Sequence, residues 1–215
     1  MVLVFTGSND LVSMPLSTFD RYLAPVPASV VYLKDFNRLR FLTGIRSLAA
    51  DYSGTVSALR QMRDRLGARR VCAIGNCYGG FAAIRYGVEL GAERILAFSA
   101  MTHGPRETEA TQEQTRKFVS SRLAAKVPAD MIDLAPFLAT RSHRGRIEVF
   151  YDGDDPRDAS HASRLGGFAG VRLHRRAAQG SGLLLRRIAL ESVDFCGTLA
   201  GLMGLERATE VSRDE

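Results

Sequence analysis

The run VCAIGNCYGGFAAI, residues 71–84, places a cysteine at the junction of two kinds of sequence. Before it stands a short apolar stretch of the kind that forms a buried strand; after it come glycines and then small, helix-compatible residues. Gly75 and Gly79 flank Cys77 two positions away on each side. A nucleophile held on a strand-to-helix turn takes a strained backbone, and small residues at those two positions keep strand and helix from colliding. The first helical turn would aim N–H groups at the sulfur, which favours a thiolate and a developing oxyanion. Cys77 is therefore expected to titrate below the ordinary thiol value of about 8.5 and to react faster than Cys72 or Cys196. The Tyr78 amide would be one oxyanion donor, and the loop TGSND would supply the other from Gly7 or Ser8. Two plainer readings compete. Cysteine is among the most buried residue types, so the turn could be an inert packed corner. Glycines after a strand also cradle phosphates, but GxGxxG and a Walker lysine are both missing.

Strand–helix alternation is what would position such a turn. Short runs at 2–6, 29–33, 70–74, 94–98, 146–151 and 171–174 read as six strands. Helical patterns fall at 51–67, 79–90, about 157–165 and 183–203, an alternation that argues for a parallel sheet covered on both faces. From about 101 to 145 two helical patterns intervene before the next strand, broken at Pro128. So long an excursion suggests a lid over the carboxyl edge. Residues 1–205 form a single domain in this reading, and 206–215 a polar tail. Internal repeats and low-complexity segments are absent.

Gly75, Cys77, Gly79 and Gly80 resemble the cysteine elbow of dienelactone-hydrolase-like members of the α/β-hydrolase superfamily. The run from VYLKD through the elbow to ERILAFSA is similar to small hydrolase-like proteins associated with bacterial biosynthetic clusters. The resemblance covers most of the chain, although two N-terminal strands of the full fold have no counterpart in the pattern. It implies a three-layer α/β-hydrolase-like fold of about six mostly parallel strands with a helical lid at about 101–145. It also implies an acid after the strand that follows the lid and a histidine after the last strand. The segment FYDGDDPRDASHASRL offers Asp152, Asp154, Asp155 and Asp158. Asp158, three residues before His161, fits the family spacing best and Asp155 second, with helix capping as the competing role.

The histidine departs from the pattern. Its expected place near 181–183 holds none, and His174 falls several residues early. His103 follows the strand beside the elbow strand and should emerge on the carboxyl edge with Cys77, where ligands bind in open α/β sheets. It is the candidate base. His161 is expected to face solvent and His143 to lie on the surface. A cysteine depends on a base less than a serine does, whereas deacylation to water needs one. The expected function is therefore a cysteine-dependent enzyme acting on a small ester or thioester, by hydrolysis or acyl transfer, through an acyl-Cys77 intermediate. The missing histidine supports the alternative, a catalytically inactive accessory or binding protein of the same fold. A redox or phosphate-binding flavodoxin-like domain has less in its favour.

Composition narrows the partners. At 215 residues, with 46% hydrophobic and 24% charged residues, the chain suits one ordinary globular domain. Its net charge of +6 comes from scattered arginines with no aromatic stacking motif, so nucleic acid is not an expected partner. No apolar run approaches the roughly 20 residues a bilayer demands. Three cysteines without a bridge or zinc spacing fit a reduced, cytoplasmic setting. A small acyl substrate, free or carrier-bound, is the expected partner, with no cofactor and no metal.

Overall fold

Val2–Phe5 (β1) is buried along its whole length, and the five other apolar runs join it in one sheet. The computed structural model describes residues 1–7, 9–104, 125–177 and 183–205. The remaining strands are β2 (Val30–Leu33), β3 (Cys72–Asn76), β4 (Arg94–Phe98), β5 (Arg146–Asp152) and β6 (Val171–Arg176). All neighbours pair parallel, in the order β2-β1-β3-β4-β5-β6. β3 runs two residues further than its apolar pattern suggests. Pairing of Asn76 with Phe98 carries the strand right up to Cys77.

Because side chains alternate along a strand, a sheet covered on both faces needs two apolar sets. Leu3, Phe5, Ala73, Ile95 and Ala97 face one core; Val2, Val4, Cys72, Ile74, Leu96 and Phe98 face the other. The first is closed by α2 (Tyr52–Arg65), α3 (Tyr78–Glu89), α4 (Ala129–Ile132), α5 (Leu134–Ala139) and α6 (Pro156–Ser163). The second is closed by α1 (Leu16–Leu23), α7 (Leu184–Glu191) and α8 (Phe195–Met203). The result is the expected three-layer arrangement, with every strand parallel.

Two helical expectations are corrected. The pattern at 183–203 divides into α7 and α8, because Asp194 caps a new helix by accepting the Gly197 N–H at 2.8 Å. α1 was hidden because only Phe19 and Leu23 of its eight residues reach the core. The returning half of the insertion packs inward beside α3, burying Val127, Leu134, Phe137 and Leu138. The rest of the expected lid, at 105–124, lies outside the described residues, as do Ser8 and the expected tail at 206–215. Among the described residues, no helix is long and apolar enough to cross a membrane.

Chain order reverses between β1 and β3, since β2 lies beyond β1 while β4 to β6 extend the other way. That switch point is where an open α/β sheet offers a crevice at its carboxyl edge. Cys77 stands there.

Candidate active site

Cys77 adopts φ 55°, ψ −118°, a conformation that costs a non-glycine residue on the order of 1–3 kcal/mol and persists only where the surroundings impose it. The surroundings are glycines. A methyl on Gly75 would drive into the Gly79 carbonyl, and one on Gly79 into the Phe5 and Thr6 carbonyls. A methyl on Gly80 would meet Ala100 Cβ at 2.9 Å. The turn is stitched to the end of β4: Cys77 N–H donates to the Phe98 carbonyl at 2.9 Å, and its own carbonyl accepts the Met101 N–H at 3.3 Å. The backbone is thus the strained strand–turn–helix that the glycine spacing predicted.

The thiol electrostatics differ from expectation. Burial pushes the Cys77 thiol up, and the nearby Asp158 carboxylate adds to that rise. The Tyr78 backbone N–H and the Arg40 charge pull the other way without offsetting it. A depressed pKa was expected from the helix N-terminus alone. Desolvation, invisible in a local sequence pattern, outweighs it. The second oxyanion donor was expected from Gly7 or Ser8, and Ser8 lies outside the described residues. Gly7 lies against the elbow, and its N–H donates to the Leu11 carbonyl at 2.7 Å.

Asp158 occupies the first turn of α6 and is buried. Its Oδ2 accepts the Asp152 N–H at 2.7 Å. Burial pushes its carboxyl up to about 6. Asp155 takes the capping role instead, accepting the Arg157 N–H at 2.9 Å and the Asp158 N–H at 3.4 Å. Asp154 pairs with Arg175 at 3.1 Å on the surface, while Asp152 accepts the Asp154 N–H at 3.0 Å.

His103 and His161 come together, with ring centroids 4.2 Å apart. His103 Nδ1 lies 2.6 Å from the Gly104 carbonyl. A carbonyl only accepts, so Nδ1 carries the proton and Nε2 is the basic nitrogen of the neutral ring. His161 is buried, contrary to the solvent-facing expectation. Thr102 Oγ1 donates to its carbonyl at 2.9 Å, anchoring α6 to the end of β4. His174 lies within β6, its Nε2 2.6 Å from Glu148 Oε2 and its ring stacked on Phe150. His143 is half-buried rather than exposed, and that burial lowers its pKa.

Arg40 escaped the sequence reading. It comes from the loop between β2 and α2, is 2% exposed and has φ 57°. Its Nη1 donates to the His103 carbonyl at 2.8 Å, and its guanidinium lies 5.0 Å from the Tyr78 ring centroid. Asp35 organises this loop by accepting N–H groups from Phe41 at 2.8 Å and Asn37 at 3.1 Å. The run NRLRFL gave no sign that one of its arginines turns inward. Among the described residues no group of three or more His, Cys, Asp or Glu could hold a metal ion.

No protein-family model matches the sequence, and no curated protein is significantly similar to it. Solved structures are similar in shape. MenH from S. aureus superposes with a TM-score of 0.57 at 12% identity, over 95% of this chain and 93% of that one. A meta-cleavage product hydrolase from Pseudomonas fluorescens IP01 gives 0.54 at 14% identity, over 94% and 90%. Brefeldin A esterase, a bacterial homologue of human hormone-sensitive lipase, gives 0.58 at 17% identity, over 95% and 70%.

The chain has the α/β-hydrolase fold.

Cys77 stands at the turn after β3, where the resemblance puts the nucleophile. Asp158 follows β5, where the resemblance puts the acid. The expected histidine position near 181–183 carries no histidine, and 181 and 182 lie outside the described residues.

Proposed function

We propose that this α/β-hydrolase-fold chain is a cysteine-dependent enzyme that acts on a small ester or thioester through an acyl-Cys77 intermediate. The observation that carries the reading is the strained turn that sets Cys77 between the end of β3 and the first residue of α3. A residue that served only as packing would not require φ 55° on a cysteine between two glycines that admit no side chain. In the proposed reaction Sγ, having given up its proton, bonds to the acyl carbon, and the carbonyl electron pair moves to oxygen beside the Tyr78 amide. Collapse of that oxyanion expels the alcohol or thiol with its electron pair, and the leaving group takes up a proton. His103 Nε2 is the proposed base and Asp158 the acid of the site. Because the thiol is held protonated by burial, the step needs such a base more than a depressed thiol would. Transfer to a second acceptor is favoured over hydrolysis, since activating water makes a further demand on the same weakly equipped site. A free or carrier-bound small acyl substrate fits this chemistry.

The accessory-protein reading has one observation behind it: the Gly7 amide, one of the two expected second donors, is committed to the Leu11 carbonyl. Incubation with a simple acyl thioester, followed by mass analysis of each cysteine, separates the two. Acylation confined to Cys77 is expected. An unmodified Cys77 would put the accessory reading ahead.

A further inference from the structure

Arg40 sits where a charge is costly. It is 2% exposed, its Nε has no hydrogen-bond partner, and among the described residues no carboxylate pairs with its guanidinium. A guanidinium stays protonated even when burial lowers its pKa, as it does here. A buried cation without its counter-charge destabilises the fold unless an anion is brought to it. Yet the loop spends backbone strain to deliver this one, with positive φ at Arg38, Arg40 and Phe41. Two sides of the guanidinium are occupied, by the His103 carbonyl at 2.8 Å and by the rings of Tyr78 and Phe81 at 5.0 and 5.7 Å. Tyr78 directly follows Cys77, so the charge is held beside the elbow.

Among the described residues, the titratable groups around the sulfur are Arg40 from the β2–α2 loop, Tyr78 from α3 and Asp158 from α6, with His103 held to Arg40 through its carbonyl. Asp158 repels a thiolate. Arg40 is the one cation among them.

We propose that Arg40 is the resident counter-ion of the Cys77 thiolate, a positioning residue that holds the sulfur's negative charge in a site whose usual histidine is missing from the sequence. The proposal rests on the reading of Cys77 as nucleophile and adds no chemical step to it. When the proton leaves Sγ, the buried pair becomes neutral overall, and desolvation then opposes ionisation far less than it would for a lone thiolate. When the sulfur is acylated, the pairing is lost, so Arg40 favours the free thiolate and release of the acyl group.

The test compares Arg40→Gln, which can still donate to the His103 carbonyl but carries no charge, with Arg40→Lys, which keeps the charge. Alkylation of Cys77 by iodoacetamide is followed across pH by mass analysis of that residue, with circular dichroism to establish that each variant folds. Arg40→Gln should raise the apparent thiol pKa and slow alkylation near neutrality by about tenfold, the equivalent of one pKa unit. Arg40→Lys should retain most of the parent rate. A parent-like titration in Arg40→Gln, or an equal loss in Arg40→Lys, overturns the proposal. If Arg40→Gln does not fold, the lysine variant decides alone: a parent-like rate supports the counter-ion and a tenfold loss rejects it. Thioester acylation of the parent is scored separately. No acylation, with a thiol pKa that still follows the charge at position 40, sinks the enzyme reading and leaves the counter-ion standing. Acylation with an indifferent pKa does the reverse.

Discussion

Asp158 is buried at the start of α6 and accepts a backbone N–H, yet its carboxyl is held up at about 6. The sign of the pH effect follows from proton counts. Between about pH 4 and 6 the folded protein binds a proton at this site that the unfolded chain has released, so stability falls as pH rises. The loss is complete above about 6 and absent below about 4. Two pKa units correspond to at most about 3 kcal/mol. Asn at this position can still accept the Asp152 N–H but cannot ionise. Urea denaturation of Asp158→Asn and its parent should therefore show the variant gaining on the parent from about pH 4 to pH 7. A constant difference across that range would mean that Asp158 is ionised normally. His103 invites a second test at the same scale. As the base, it should slow acylation by roughly 10²–10⁴-fold when replaced by alanine. His103 is also buried against His161. His103→Ala should thus also lower stability by about 1–3 kcal/mol, in the range of buried polar truncations. Single-turnover acylation measured on folded protein separates the two effects, and an unchanged rate would remove His103 from the chemistry.

At the scale of elements, the strand-to-helix crossing at Cys77 depends on two missing side chains. Gly75→Ala and Gly79→Ala each place a methyl against a backbone carbonyl, which no rotamer change can relieve. Either should cost about 3 kcal/mol or more, at the upper end of overpacking. Gly67 is the control, because its φ of +58° strains an added Cβ but nothing lies within 4 Å. Gly67→Ala should cost only about 1–2 kcal/mol by urea denaturation. Equal costs at all three positions would show that the elbow is not tightly packed. These glycines are also why the elbow was legible: their spacing states a local steric need. Parallel pairing was legible for a similar reason, since apolar runs separated by helical patterns argue for crossover connections. What could not be read depends on contacts distant in sequence. The Gly7 N–H is captured by Leu11, His161 is buried by Thr102, and Arg40 is turned inward by a loop wound around Asp35. None leaves a periodicity. The break between α7 and α8 is different: Asp194 is a capping residue visible in the sequence, overridden by the apolar residues on both sides.

Over the whole molecule the sheet divides the interior into two cores, and the cysteines sample it unevenly. Cys72 is 1% exposed in the core beneath α8, where its Sγ donates to the Met203 carbonyl at 3.5 Å. Burial pushes its thiol up to about 11. Cys77 is half-buried at the carboxyl edge, and Cys196 is half-buried on α8 itself. β3 is flanked by β1 and β4 and covered on both faces, so no local movement frees Cys72 without separating α8 from the sheet. Its reaction with a thiol reagent should require global unfolding. For a domain of ordinary stability, 5 kcal/mol or more, that slows labelling by at least about 10³-fold relative to the unfolded chain. Low urea should accelerate Cys72 along the slope of the equilibrium unfolding curve, because both then report the same exposed surface. Cys77 needs only local access at the edge of the sheet, so its labelling should stay flat in urea until the unfolding transition begins. Labelling of Cys72 at the pace of Cys77, or acceleration with a shallow slope, would mean that the α1–α7–α8 layer opens by itself and that the two cores are not one cooperative unit.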